Sequence, residues 1–166
     1  MAGSFISIDF DDRDVADFLR QLLEASVRLK PAFDEMGVEL SERWGEPRFL
    51  SQAGPDGTPW APNSPDYLES KKAETGRDLI LVLERHLMES ITHQASDHDV
   101  RIGTNRVYGA THQFGAAKGS FGTDKRGRPI PWGDIPARPY LGVSEADKEE
   151  IFEVLREHLE RSLRRP

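Results

Sequence analysis

Most of the chain's 11 prolines and 14 glycines crowd into two stretches, residues 45–65 and 103–142. Proline fixes φ and lacks an N–H, and glycine loses the most backbone entropy when ordered, so helices and strands are expected mainly outside these stretches. The first, GEPRFLSQAGPDGTPWAPNSP, is expected to hold no regular structure. Within it Pro55-Asp56-Gly57 is a turn: proline presets φ and glycine accepts a positive one. Yet Phe49 and Trp60 are large apolar anchors that flexible linkers rarely carry, so this loop must pack on the body or on another chain. Segment 115–140 mixes glycine, proline and basic residues and is expected to be an extended arm.

The remaining segments have clear periods. FISIDF, residues 5–10, alternates apolar and polar positions and predicts a short half-buried strand. Asp11 or Asp12 then caps a helix whose apolar stripe is Val15, Phe18, Leu19, Leu22, Leu23 and Val27. Pro31 interrupts it, and Phe33, Met36, Leu40 and Trp44 continue the spacing, so 12–44 is one kinked helix or two in tandem. Ser64-Pro65 opens a short helix expected to run through Lys72. Residues 89–96 and 99–104 flank Asp97-His98-Asp99 and predict a β-hairpin. Ser144 caps a final helix over 144–163, with acids in its first turn, arginines in its last, and an Ile151, Val154, Leu155, His158, Leu159, Leu163 stripe. The order predicts an α+β fold: a small antiparallel sheet packed against N-terminal and C-terminal helices, with long Pro/Gly-rich loops or arms, in one domain spanning 1–166.

The bulk numbers limit function. Net charge is −7, where a stand-alone nucleic-acid binder is usually basic. The absence of cysteine removes disulfides and thiol chemistry, consistent with assembly in a reducing cytoplasm. No run approaches the ~20 apolar residues of a membrane span, so no membrane partner is expected.

Candidate chemical sites are few. His93, Asp97, His98 and Asp99 offer two imidazoles and two carboxylates, but an odd step along a strand sends 93 and 98 to opposite faces, and a solvated hairpin tip is the better reading than a metal site. GAAKGSFG, 115–122, has its lysine and glycine in the wrong order for a phosphate loop, and no apolar helix follows. His112 in YGATHQFG lacks an acid partner or nucleophile nearby in sequence, so no catalytic residue, metal or cofactor is expected. Instead Tyr108, His112 and Phe114 are expected to fill a packed junction from which Gly115 turns the chain into the arm. Lys118, Lys125, Arg126 and Arg128 make the arm basic, and are the candidate DNA-facing residues. In IPARPYLG, 135–142, the prolines restrict the backbone while Arg138 and Tyr140 supply a rigid fork and an anchor for docking, on the same chain or a neighbour.

Taken in order, RFLSQAGPDGTPWAPNSP, a lysine-bearing helix, LMESITHQ, VRIGTNRVYGATHQFG and IPARPYLGVSEADKEEI resemble the phage virion morphogenesis, or tail completion, family of Mu-like and related phages. The likeness covers about residues 48–155. Leu87, Ser90, Ile91, Tyr108, Phe114 and Gly115 are also similar to the broader neck and tail-completion proteins of long-tailed phages. One position departs: where the family usually has glycine shortly before L-x-x-S-I, this chain has Arg85-His86.

The resemblance implies a structural virion protein at the head–tail neck, a tail completion or tail terminator subunit in a ring, expected as a hexamer around a DNA channel. Its partners would be itself, other neck and tail proteins, and passing DNA. A head-side stopper or adaptor, or an assembly factor that leaves the particle, is the alternative. Phe49, Trp60, Tyr108, His112, Phe114, Arg138 and Tyr140 are the expected packing and interface residues, and Trp60→Ala is expected to weaken assembly more than folding.

Overall fold

The computed structural model describes residues 13–164. The strand expected at 5–10 and the capping aspartates lie outside that range. Helix α1 (Arg13–Val27) and helix α2 (Lys30–Trp44) stand in tandem, with Pro31 in the first turn of α2. A proline there has no intrahelical hydrogen bond to lose, so it starts the second helix instead of kinking one long one.

The α1 stripe is not core. α1 packs along the last helix, α6 (Glu145–Leu163), and buries Ala25, while Phe18, Leu19, Leu23 and Val27 stay largely exposed. Amphipathic spacing marks a face able to be buried, and a peripheral helix with one main neighbour covers only an edge of it.

The 45–65 stretch is more regular than expected. Helix α3 (Glu46–Ser51) forms inside it, opened by Pro47 in its first turn and ended by Gln52 at a φ of 55°. Proline density argued against a helix there, but proline is accepted at a helix start. Beyond it Ala53 and Pro59 pair across the predicted turn, in which Gly57 has a φ of 79° and the Asp56 carboxylate accepts the Thr58 N–H. Helix α4 (Pro65–Thr75) begins at Pro65 as predicted and runs past Lys72 to Gly76. Ser64 occupies the cap position, but its hydroxyl makes no capping bond.

Strands β1 (Ile91–Ala95) and β2 (Val100–Thr104) form the antiparallel hairpin, in register from Ile91 opposite Thr104 to Ala95 opposite Val100. β1 lies directly on α2: a Cβ at Gly37 would sit 2.3 Å from the His93 ring, so only glycine admits the strand this closely. The architecture is therefore α+β, a two-stranded antiparallel sheet with α2 against it and α6 beyond.

Two apolar clusters hold it. One joins Ala32, Met36 and Val154 between α2 and α6. The other gathers Phe49, Trp60, Val82, Leu87, Met88 and Tyr140 from α3, the irregular segments and the IPARPYLG stretch. A buried polar node links the end of α2 and the start of α3 to the start of α6. Asp147 is fully buried on α6 and accepts from the Trp44 indole N–H at 3.0 Å and the Ser144 N–H at 2.8 Å, with Arg43 and Arg48 alongside. With the Ser144 hydroxyl accepting the Asp147 N–H, this is a capping box that also serves as a tertiary clasp.

Arg85, of the Arg85-His86 pair, sits in a backbone conformation that suits glycine. It has a φ of 65°, in the left-handed region that glycine occupies freely and other residues rarely do. Its guanidinium bonds Glu46 at 2.8 Å and Glu89 at 2.9 Å, contacts glycine cannot make.

Candidate partner interface

YGATHQFG folds as Tyr108 and a short helix α5 (Gly109–Phe114), closed by Gly115. Gly115 has a φ of 77°, and a Cβ there would meet the Ile135 carbonyl at 2.8 Å, so the chain turns into the arm where only glycine fits.

The junction forms around His112 and Gln113, while Tyr108 and Phe114 do not fill it. Phe114 is 78% exposed and Tyr108 also faces outward, its ring edge-on to His112 at 5.9 Å. A six-residue helix has one inward side, and Gln113 occupies it. The Gln113 side chain accepts the Tyr140 and Leu141 N–H groups, each at 3.0 Å, and donates to the Leu141 carbonyl at 2.9 Å. The His112 carbonyl accepts the Arg138 N–H at 2.7 Å.

Arg138 then reaches the first Pro-rich loop, donating to the Ala61 carbonyl at 2.7 Å and the Pro62 carbonyl at 2.9 Å. Trp60 answers in the other direction, its indole donating to the Pro139 carbonyl at 2.8 Å. Phe49 packs its ring on Trp60 at 5.5 Å and on Tyr140 at 5.7 Å. Phe49, Trp60, Arg138 and Tyr140 thus lock two proline-rich stretches of the same chain together. All four are buried in this chain, and of them only Arg138 also lines the cleft described below.

The arm is an ordered excursion, not a loose loop. Ala116 pairs with Ile135 and Thr123 with Pro129, and the Asp124 carboxylate accepts the Arg126 and Arg128 N–H groups at the tip. Arg128 is bound to Asp124 and lies 5.1 Å over the Trp132 ring, while Lys125 and Arg126 project from the tip. Lys118 sits near the root, its N–H bound to Asp134. Trp132, 69% exposed, and Phe121 leave apolar surface uncovered along the arm.

The hairpin-tip acids and histidines diverge. His93 faces Asp34 across α2 at 3.9 Å, Asp97 accepts the Lys30 N–H, and Asp99 binds Arg101 at 2.7 Å. Among the described residues no cluster of three metal-ligating side chains forms.

Beside the junction lies a cleft of about 750 Å³. Its walls are Leu81, Val82, Leu87, Ile135 and Pro136, and Asn63, Lys71, His112 and Arg138 also line it. No local pattern marks Gln113 or Lys71 in the sequence: Gln113 is distinguished by partners 27 and 28 residues away and Lys71 by its burial.

Burial, with Arg138 nearby, lowers the His112 pKa below the usual imidazole value of 6.5. A group depressed in the folded state binds protons more readily when unfolded, so stability falls as pH drops through about 6.5 toward the folded pKa. His112→Gln is expected to flatten that part of a stability–pH curve, measured by urea unfolding between about pH 5 and 7. An unchanged slope would mean His112 does not titrate differently on folding.

The chain belongs to the phage virion morphogenesis family, whose model matches residues 10–160. Tail completion protein S of Escherichia phage P2 is 30% identical over 131 residues, 76% of this chain and 83% of that protein. Putative capsid assembly protein G of Escherichia phage Mu is 30% identical over 151 residues, 82% of this chain and 92% of that one. The Mu-like prophage FluMu G protein 2 of Haemophilus influenzae is 34% identical over 90 residues, 54% of this chain and 59% of the relative. No solved structure matches.

Proposed function

We propose that this chain is a tail completion subunit that acts at the head-proximal end of a phage tail as one member of a homo-oligomeric ring. The observation that carries this reading is the arm. Its root is fixed by Gly115 and the 116–135 pair, while its length presents Phe121, Trp132, Lys125 and Arg126 outward. A chain that spends hydrogen bonds on ordering such a surface gains most when a partner covers it. The P2 relative supports the tail assignment. In the ring, the arm of each subunit lies on its neighbour, and Lys125 and Arg126 at the tip face the DNA passage. The protein is assembled in the host cytoplasm and stays in the virion neck.

The name of the Mu relative favours a second reading, a factor acting in head assembly. Electron microscopy of particles from a phage lacking this protein separates the two. Complete heads beside unjoined or overlong tails are expected. Missing or aberrant heads would favour the capsid reading, and absence of the protein from purified virions would exclude a resident ring.

A further inference from the structure

Two cations in the cleft have no carboxylate within ion-pair distance among the described residues; Asp78 acts on Lys71 only from further off and is itself paired with Lys72 at 3.5 Å. Lys71 is 2% exposed and Arg138 6% exposed, and both line it. Lys71 donates to the Leu79 carbonyl and Arg138 to the Ala61 and Pro62 carbonyls, so each is held by neutral oxygens. Neither enters an ion pair among the described residues. An ammonium carries three donors and a guanidinium five, which leaves several unused. A buried charge is stable when paired, so such a pair of cations calls for an anion.

The cleft's own acids do not fill that need. Asp134 accepts the Lys118 N–H at 2.8 Å, and Glu84 faces His86 at 3.6 Å. The third cation on the wall, Arg85, is already matched by Glu46 and Glu89. Two further polar atoms on the lining, Asn63 Nδ2 and His112 Nδ1, are buried without a partner. An apolar wall and a floor of unmatched donors together describe a seat for an extended segment carrying carboxylates between apolar side chains.

The chain contains such a segment. FISIDFDD, residues 5–12, alternates Ile6, Ile8 and Phe10 with polar positions and carries Asp9, Asp11 and Asp12. It leads into α1, which packs along α6, whereas the cleft is walled by α4, residues 81–87 and residues 134–138. We propose that residues 5–12 of a second copy occupy this cleft, with their carboxylates on Lys71 and Arg138. Because donor and seat are different surfaces, the contact is head-to-tail, the kind that closes into a ring. The proposal deepens the ring reading and rests on the self-association in it.

Sedimentation velocity of the full chain over a range of concentrations tests it. The wild type is expected to self-associate. Lys71→Met, and separately Asp9→Asn with Asp11→Asn and Asp12→Asn, are each expected to raise the midpoint concentration at least tenfold. Arg138 is left intact because its carbonyl bonds hold the fold. Mixing the two variants pairs an intact segment with an intact cleft and is expected to restore a heterodimer. If Lys71→Met fails to fold, the aspartate variant decides alone. A monomeric wild type, unchanged association in the variants, or a mixture of folded variants that stays monomeric would overturn the proposal. Variants that still form wild-type oligomers would refute this docking while leaving tail completion standing, and the particle imaging decides that separately.

Discussion

Asp147→Ala is expected to cost about 3–5 kcal/mol of folding stability, as removal of one member of a buried ion pair does. The carboxylate is fully buried and serves α2, α3 and the start of α6 at once. Alanine would strand the Trp44 indole N–H and leave the buried Arg48 guanidinium without its anion. Arg48 also approaches the Gly142 carbonyl at 3.4 Å, a long contact that cannot substitute for a charge. Asp147→Asn keeps an acceptor for Trp44 but removes the charge, so it should fall between alanine and wild type. Burial pushes the Asp147 pKa up, but the Ser144 and Trp44 hydrogen bonds and Arg48 outweigh it, and the folded pKa lies below 3.8. Its contribution is therefore present above about pH 4 and is lost as pH falls through the folded value. Urea unfolding at pH 7 measures the substitution. A loss under about 1 kcal/mol would mean that the clasp is not a determinant of the fold.

Trp60→Ala is expected to cost about 3–5 kcal/mol as well, the range for deleting a large aromatic from a core. The expectation from sequence, that this change spares folding and weakens assembly, does not fit where the residue sits. Trp60 is 5% exposed, edge-on to Phe49, and its indole holds the Pro139 carbonyl. Folding and assembly should fail together. Trp132→Ala is the contrast: an exposed arm residue should change stability by less than about 0.5 kcal/mol while association weakens. Thermal unfolding and sedimentation on the same samples measure both. Loss of stability in Trp132→Ala equal to that in Trp60→Ala would place Trp132 in the fold rather than at an interface.

These assignments indicate what periodicity can and cannot reveal. α6, the hairpin and the break before α2 were legible because each has a local signature: the Ser144 cap, paired alternation about a turn, and Pro31 at a helix start. α3 was hidden because prolines that permit a helix start also mark loops. The α1 stripe was legible as a stripe, but periodicity does not say which neighbour covers it. At the junction His112 drew attention by residue type, whereas Gln113 holds the chain through backbone groups 27 and 28 residues away. Arg138 likewise finds its carbonyls 76 and 77 residues upstream. No short-range pattern encodes such partners.

The clasp and the second core share a property that matters during synthesis. Phe49 and Trp60 find Tyr140 only after the arm has been made, and Trp44 and Arg48 find Asp147 later still. A nascent chain on the ribosome therefore keeps these groups uncovered until translation is nearly complete. Fragments truncated before α6 lack the buried anion, and those truncated before Pro139 lack the closing aromatic contacts as well, so premature termination yields chains that cannot complete the fold.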